Sequence, residues 1–199
     1  MKLRSHLFIL ALLIACGAST AHAQETWDAG FKLVAGNFSG AEDAGIGQSK
    51  NYGAAMFGTY ILSRHQSLEF DGGYRYFPTT TVETKDVIQE DKSDGYYASA
   101  LYRWGFRRNQ GGWSNNVYAH AGLRATQFRA NRHTTYRDGG YTIVVKGPYT
   151  TVVKPMIGVG ARLTEQYSVE LNLVGFETAN VSGTAKSGTI VEFALAIHM

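Results

Sequence analysis

The chain of 199 residues contains one cysteine, Cys16, and three prolines. A single cysteine cannot build a disulfide framework within the chain. Long apolar runs are also missing. The longest, Leu7-Phe8-Ile9-Leu10-Ala11-Leu12-Leu13-Ile14-Ala15, has nine residues, against the roughly 20 that a membrane-spanning helix needs. No later stretch approaches about 18 consecutive apolar residues, so a helical span is excluded. Charge of one sign is scarce as well: 19 Lys/Arg stand against 16 Asp/Glu. No His-Glu-x-x-His pattern or paired cysteines occur, so no metal site is expected. Gly158-Val159-Gly160 opens no helix, which argues against a nucleotide cofactor.

The N-terminus has the three parts of a secretory signal. Lys2 and Arg4 precede the apolar stretch, and Ala21-His22-Ala23 offers a cleavage site before Gln24. Leu13-Ile14-Ala15-Cys16 offers a second processing site, which would place a lipid on Cys16. Cleavage after Ala23 removes residues 1–23 with two bases, leaving 17 bases against 16 acids. That balance gives no electrostatic footprint for nucleic acid. Residues 24–199 have the length of one domain.

Period-2 alternation organises the rest of the chain. Val191, Phe193, Leu195, Ile197 and Met199 share one face, and Glu192, Ala194, Ala196 and His198 the other. Tyr167, Val169, Leu171 and Leu173 alternate with Ser168, Glu170 and Asn172. Leu68, Phe70, Gly72, Tyr74 and Tyr76 alternate with Glu69, Asp71, Gly73 and Arg75. Strands are expected near 26–38, 52–64, 66–77, 93–107, 113–129, 149–163, 166–177 and 187–199. The phase of the second stays open because it has no clear polar face. Connectors near 39–51, 78–92 and 130–148 are long, the one near 178–186 is intermediate, and those at 64–66, 108–112 and 164–165 are short. The pattern predicts an all-β, eight-stranded, antiparallel, up-and-down transmembrane β-barrel, with tight turns at one rim and extended loops at the other.

Aromatics collect at the strand ends of the apolar face. Trp27, Tyr60, Trp104, Trp113 and Tyr167 fall near the short-turn rim. Phe38, Tyr52, Tyr76, Tyr96 and Tyr149 fall at the opposite ends. Two such girdles suit a lipid-facing belt. The polar face then lines the lumen with Asp28, Lys32, Glu69, Asp71, Arg75, Arg103, His120, Arg124, Lys154, Arg162, Glu170 and Glu192. Its six Lys/Arg nearly balance five Asp/Glu. In so narrow a bore these charges are expected to pair across the interior, because an unpaired buried charge is very costly. A selective channel would instead carry an excess of one sign.

Asp138-Gly139-Gly140 between two β-prone runs reads as the tip of a hairpin that extends beyond the membrane. Its cations, Arg129, Arg132, His133, Arg137 and Lys146, could meet anionic lipopolysaccharide or a surface partner. Alternatively they pair with the acidic second connector, which holds Glu83, Asp86, Glu90, Asp91 and Asp94. A catalytic serine needs a base and an orienting acid. His65, Ser67 and Glu69 supply the types only superficially, and His120 and His198 point inward without an obvious serine. No enzyme is expected.

The signal, the eight strands and the girdles resemble the small outer-membrane β-barrel family, which includes the OmpX-like proteins and the membrane domain of OmpA. The resemblance rests on pattern over residues 24–199. It implies a barrel in outer-membrane lipid, inserted by the outer-membrane assembly machinery and serving envelope structure or surface interaction; the alternatives are a narrow channel for small solutes or ions and a lipid A-modifying barrel enzyme. Family members usually end in an aromatic residue, where this chain has Met199. No peptidoglycan-binding domain follows, so periplasmic anchoring like that of OmpA is not expected.

Overall fold

Half-apolar strands remain stable in lipid only if every backbone N–H and C=O finds a neighbour, which requires the sheet to close on itself. The computed structural model describes residues 27–39, 50–63, 65–105, 117–179 and 185–199. These form β1 (Trp27–Ser39), β2 (Lys50–Ile61), β3 (Gln66–Glu83), β4 (Val87–Gly105), β5 (Val117–Tyr136), β6 (Thr142–Lys146), β7 (Thr150–Arg162), β8 (Tyr167–Ala179) and β9 (Ala185–His198). The antiparallel order is β4-β3-β2-β1-β9-β8-β7-β5, and β4 pairs with β5 to close a ring of eight strands. β6 is an addition that pairs with β5 outside the ring. The expected leader, Cys16 and Trp113 lie outside the described residues.

One row of register partners shows how the ring closes. It starts at Trp27, passes through Tyr60, Leu68, Tyr102, Ala121, Ile157, Leu173 and Val191, and returns to β1 at Asn37. The stagger is therefore ten residues. With about 4.8 Å between strands and 3.3 Å per residue, the strands tilt by about 40° and the wall radius is about 8 Å. A bore of that width is filled by its own side chains.

The outer surface is apolar. Phe31, Leu33, Phe70, Leu123, Val153, Ile157, Leu171 and Phe193 are each 44–59% exposed. A continuous belt of this kind needs lipid against it rather than water. Trp27, Tyr60, Trp104 and Tyr167 edge the belt at the short-turn rim, and Tyr52, Tyr76, Tyr96 and Tyr149 at the other, all exposed. Tyr96 and Trp104 are eight residues apart on one strand, which at this tilt is about 20 Å along the axis, close to the ~25 Å apolar band of membrane barrels. Phe38 does not join the outer girdle. It sits one residue out of phase with Asn37 and is buried in the bore. The phase of β2 is also resolved. Ala55, Phe57 and Thr59 point inward, and Tyr52 and Tyr60 outward. A phenylalanine on the inner face hid the alternation.

The connector expected at 78–92 is mostly strand. β3 continues to Glu83, a turn over residues 84–86 follows with Thr84 N donating to Val87 O at 2.8 Å, and β4 resumes at Val87. The Thr79-Thr80-Thr81-Val82 run and Val87-Ile88 are strong strand formers. Pro78, which has no N–H to donate, sits where the register shifts between Phe77 and Thr80 instead of ending the strand. The expected hairpin around Asp138-Gly139-Gly140 is present. β5 runs to Tyr136, Gly140 takes φ 63°, and β6 returns. That left-handed backbone is strained for any residue with a Cβ. Tyr136 and Tyr141 stack across the turn, 4.8 Å between centroids.

Candidate functional site

The inward face holds two sets of side chains. One is charged. Lys32 Nζ lies 2.6 Å from Glu69 Oε1, 2.9 Å from Glu170 Oε2 and 3.8 Å from Asp71 Oδ2. Arg103 bridges Glu69 and Glu170. Arg124 lies 2.8 Å from Glu192, which Arg75 also grips, and donates to Ser99 Oγ at 2.8 Å. These four cations and four carboxylates are all buried, and their charges cancel. Rings complete the set. Arg103 lies over Tyr118 at 4.6 Å and Arg124 over Tyr97 at 4.2 Å, while the Tyr118 hydroxyl donates to Glu170 at 2.9 Å. Gly160, the register partner of Tyr118, has no side chain because one would overlap that ring. His120 Nε2 meets Asn172 Oδ1 at 2.6 Å. Lys154 points inward beside Gly175, nearer the long-loop end.

The second set is apolar and was not anticipated. Leu101, Gly122, Met156, Val174, Ile190 and Phe38 follow one ladder row around the wall. Because the strands tilt, this row climbs towards the long-loop rim. Phe77 and Phe128 close over it edge to face, 5.4 Å between centroids. The sequence signal was available, since all of these positions share the inward phase. Together the two sets occupy the bore.

At the short-turn mouth, Asp28 accepts from Arg162 Nη1 at 3.2 Å and meets His198 Nδ1 at 2.7 Å. His198 also bonds to Ser168 Oγ at 2.9 Å. The expectation that His198 has no serine partner is thereby corrected. Ser168 lies on the neighbouring strand, 30 positions away in the sequence. The other suspected trio does not assemble. His65 is exposed at its turn, whereas Glu69 faces Lys32 and Arg103 inside.

At the opposite rim, β3, β4, β5 and β6 continue past the tyrosine girdle as a four-stranded sheet. The acidic connector and the cationic arm are neighbours within it. Arg132 forks onto Asp91 at 2.8 and 3.0 Å, and Arg137 lies 3.2 Å from Glu83. The hydrogen-bonded Asp91 carboxylate holds the Arg132 guanidinium above its ordinary range. His133 faces Glu90 in register, Lys146 faces Asn131, and Arg129 lies over the Tyr149 ring at 4.5 Å. Arg132 and Arg137 are thus spent on internal pairing. All five residues of β6 are exposed, and its outer edge has no strand partner among the described residues.

A closed eight-stranded ring, a ten-residue stagger, a lipid belt between aromatic girdles and a filled bore leave one architecture. The fold is that of the small outer-membrane β-barrels. Neisserial surface protein A matches over 88% of this chain and 97% of its own, with a TM-score of 0.52 and 12% identity. Ail, the attachment invasion locus protein of Yersinia pestis, was solved with the heparin analogue sucrose octasulfate. It matches over 87% of this chain and 97% of its own, with a TM-score of 0.49 and 7% identity. The N-terminal barrel domain of Pseudomonas aeruginosa OprF covers 87% and 98%, with a TM-score of 0.42 and 14% identity. No family model matches the sequence, and no curated protein matches it. Fold and belt together place this outer-membrane β-barrel in the bacterial outer membrane.

Proposed function

We propose that this barrel is a surface-interaction protein: the ring is a rigid mount in lipopolysaccharide-containing lipid, and the sheet of β3 to β6 is the contact element. One observation carries this reading. β6 presents Thr142-Ile143-Val144-Val145-Lys146 beyond the girdle, exposed on both faces and, among the described residues, unpaired on one edge. An unpaired, β-branched edge can accept an extended peptide of a partner as a further strand. Lys146 would set the sign of that peptide, because Arg132 and Arg137 already have acidic partners and His133 faces Glu90. The filled bore speaks against a channel for solutes.

The test is proline placed on the edge. Neighbouring residues of a strand direct their N–H groups to opposite sides, so either Ile143→Pro or Val144→Pro removes a donor from the free edge without breaking the β5 ladder. Cells displaying the barrel should lose partner binding with that variant while the barrel stays folded. Undiminished binding with both variants would refute strand addition.

A further inference from the structure

Asp28, His198 and Ser168 come from β1, β9 and β8, which are adjacent in the ring. His198 Nδ1 meets Asp28 Oδ2 at 2.7 Å, and His198 Nε2 meets Ser168 Oγ at 2.9 Å. This is the order carboxylate, imidazole, hydroxyl, each imidazole nitrogen facing the group that a general base requires. With the Nδ1 proton donated to Asp28, Nε2 is free to accept the serine proton. The backbone fixes the arrangement. His198 N donates to Gln166 O at 2.8 Å, Met199 N donates to Ala29 O at 2.9 Å, and Phe57 packs edge-on against the imidazole at 5.2 Å. The nearest acid further along β8, Glu170, is already held by Lys32 and Arg103.

Arg162 reaches this group through Asp28. It is the register partner of Ser168, yet its side chain reaches past the ends of β8 and β9 to Asp28 at 3.2 Å. It also donates to the turn carbonyls of Thr164 and Glu165, at 3.3 and 2.5 Å. Ser168 is 1% exposed, whereas the Arg162 side chain is 37% exposed at the mouth. An anion arriving from the periplasmic side competes with Asp28 and the carbonyls for the guanidinium. Drawing Arg162 outward leaves a cation beside the incoming group.

We propose that Ser168 is an activated nucleophile for acyl esters that carry a phosphate or carboxylate, with His198 as general base, Asp28 orienting it and Arg162 as an anion-operated cap. Ser168 Oγ adds to the ester carbonyl carbon while its proton passes to His198 Nε2. The carbon–oxygen bond to the alcohol breaks, and the alcohol leaves with that proton. Water then attacks the acyl-serine, giving up a proton through His198 to the departing Ser168 oxygen and releasing the carboxylic acid.

A fluorescent fluorophosphonate probe on the folded barrel in detergent tests this, with folding of each variant checked by heat-modifiable gel migration. Expected are labelling mapped to Ser168, none in Ser168→Ala, and unchanged labelling in Ser67→Ala. His198→Gln should label at least about 100-fold more slowly, the usual worth of a general base, and Asp28→Asn serves if that variant does not fold. Arg162→Ala should label faster than wild type, which a purely structural arginine would not produce. Absence of Ser168 labelling in both wild type and Arg162→Ala would overturn the proposal and leave the trio as a buried hydrogen-bond chain.

Discussion

Replacing Lys32 with methionine tests the claim that the bore is held by electrical balance. Lys32 is 2% exposed and touches Glu69, Glu170 and Asp71. Methionine keeps most of the length and removes the charge, leaving four buried carboxylates against three guanidinium groups. Breaking a buried pair on one side costs about 3–5 kcal/mol, because the partner charge stays desolvated. With a urea slope of about 2 kcal/mol per molar, the unfolding midpoint should fall by roughly 1.5–2.5 M. The assay is urea titration of the barrel in lipid vesicles, followed by tryptophan fluorescence. The surface pair Glu90–Lys92, at 2.8 Å with both side chains about two-fifths exposed, supplies the control. Lys92→Met should cost at most about 1 kcal/mol. Adding Glu69→Gln to Lys32→Met restores the balance and should recover about half the loss or more. A Lys32→Met shift no larger than that of Lys92→Met would refute the reasoning.

Phe128→Ala should cost about 3–5 kcal/mol by opening a cavity in the apolar layer, read in the same titration. Leu171→Arg places a charge midway across the lipid belt and should cost about 2–4 kcal/mol, whereas Thr81→Arg, exposed on the protruding sheet, should be nearly silent. Asp91→Asn removes the fork from Arg132. Global stability should change by less than about 1 kcal/mol, but amide exchange should quicken in β6 and the end of β5.

The ring was legible because lipid outside and polar groups inside impose an alternation that eight segments repeat. Leu171 against Glu170 and Phe193 against Glu192 show it most cleanly. The apolar layer was less legible because Phe38, Phe77 and Phe128 break that alternation from the inside, and phase is hard to read where both faces are apolar. The protruding sheet was partly missed because Pro78 and the acidic residues from Glu83 to Asp94 look like loop chemistry. Pairing with Arg132 and Arg137 makes them compatible with strands. The contact between Ser168 and His198 depends on the register of β8 against β9, which local sequence does not specify.

The distribution of the buried charges along the chain has a consequence for assembly. Lys32, Arg75, Arg103 and Arg124 all lie in β1, β3, β4 and β5, together with only two of the four carboxylates, Glu69 and Asp71. The other two, Glu170 and Glu192, arrive with β8 and β9, the final strands in chain order. Within this buried set, a sheet that has formed through β5 but not closed therefore carries two surplus positive charges. Such half-built rings are penalised until the C-terminal strands dock. The penalty ties the beginning of the chain to its end and favours closure as one cooperative event, with few stable stops along the way.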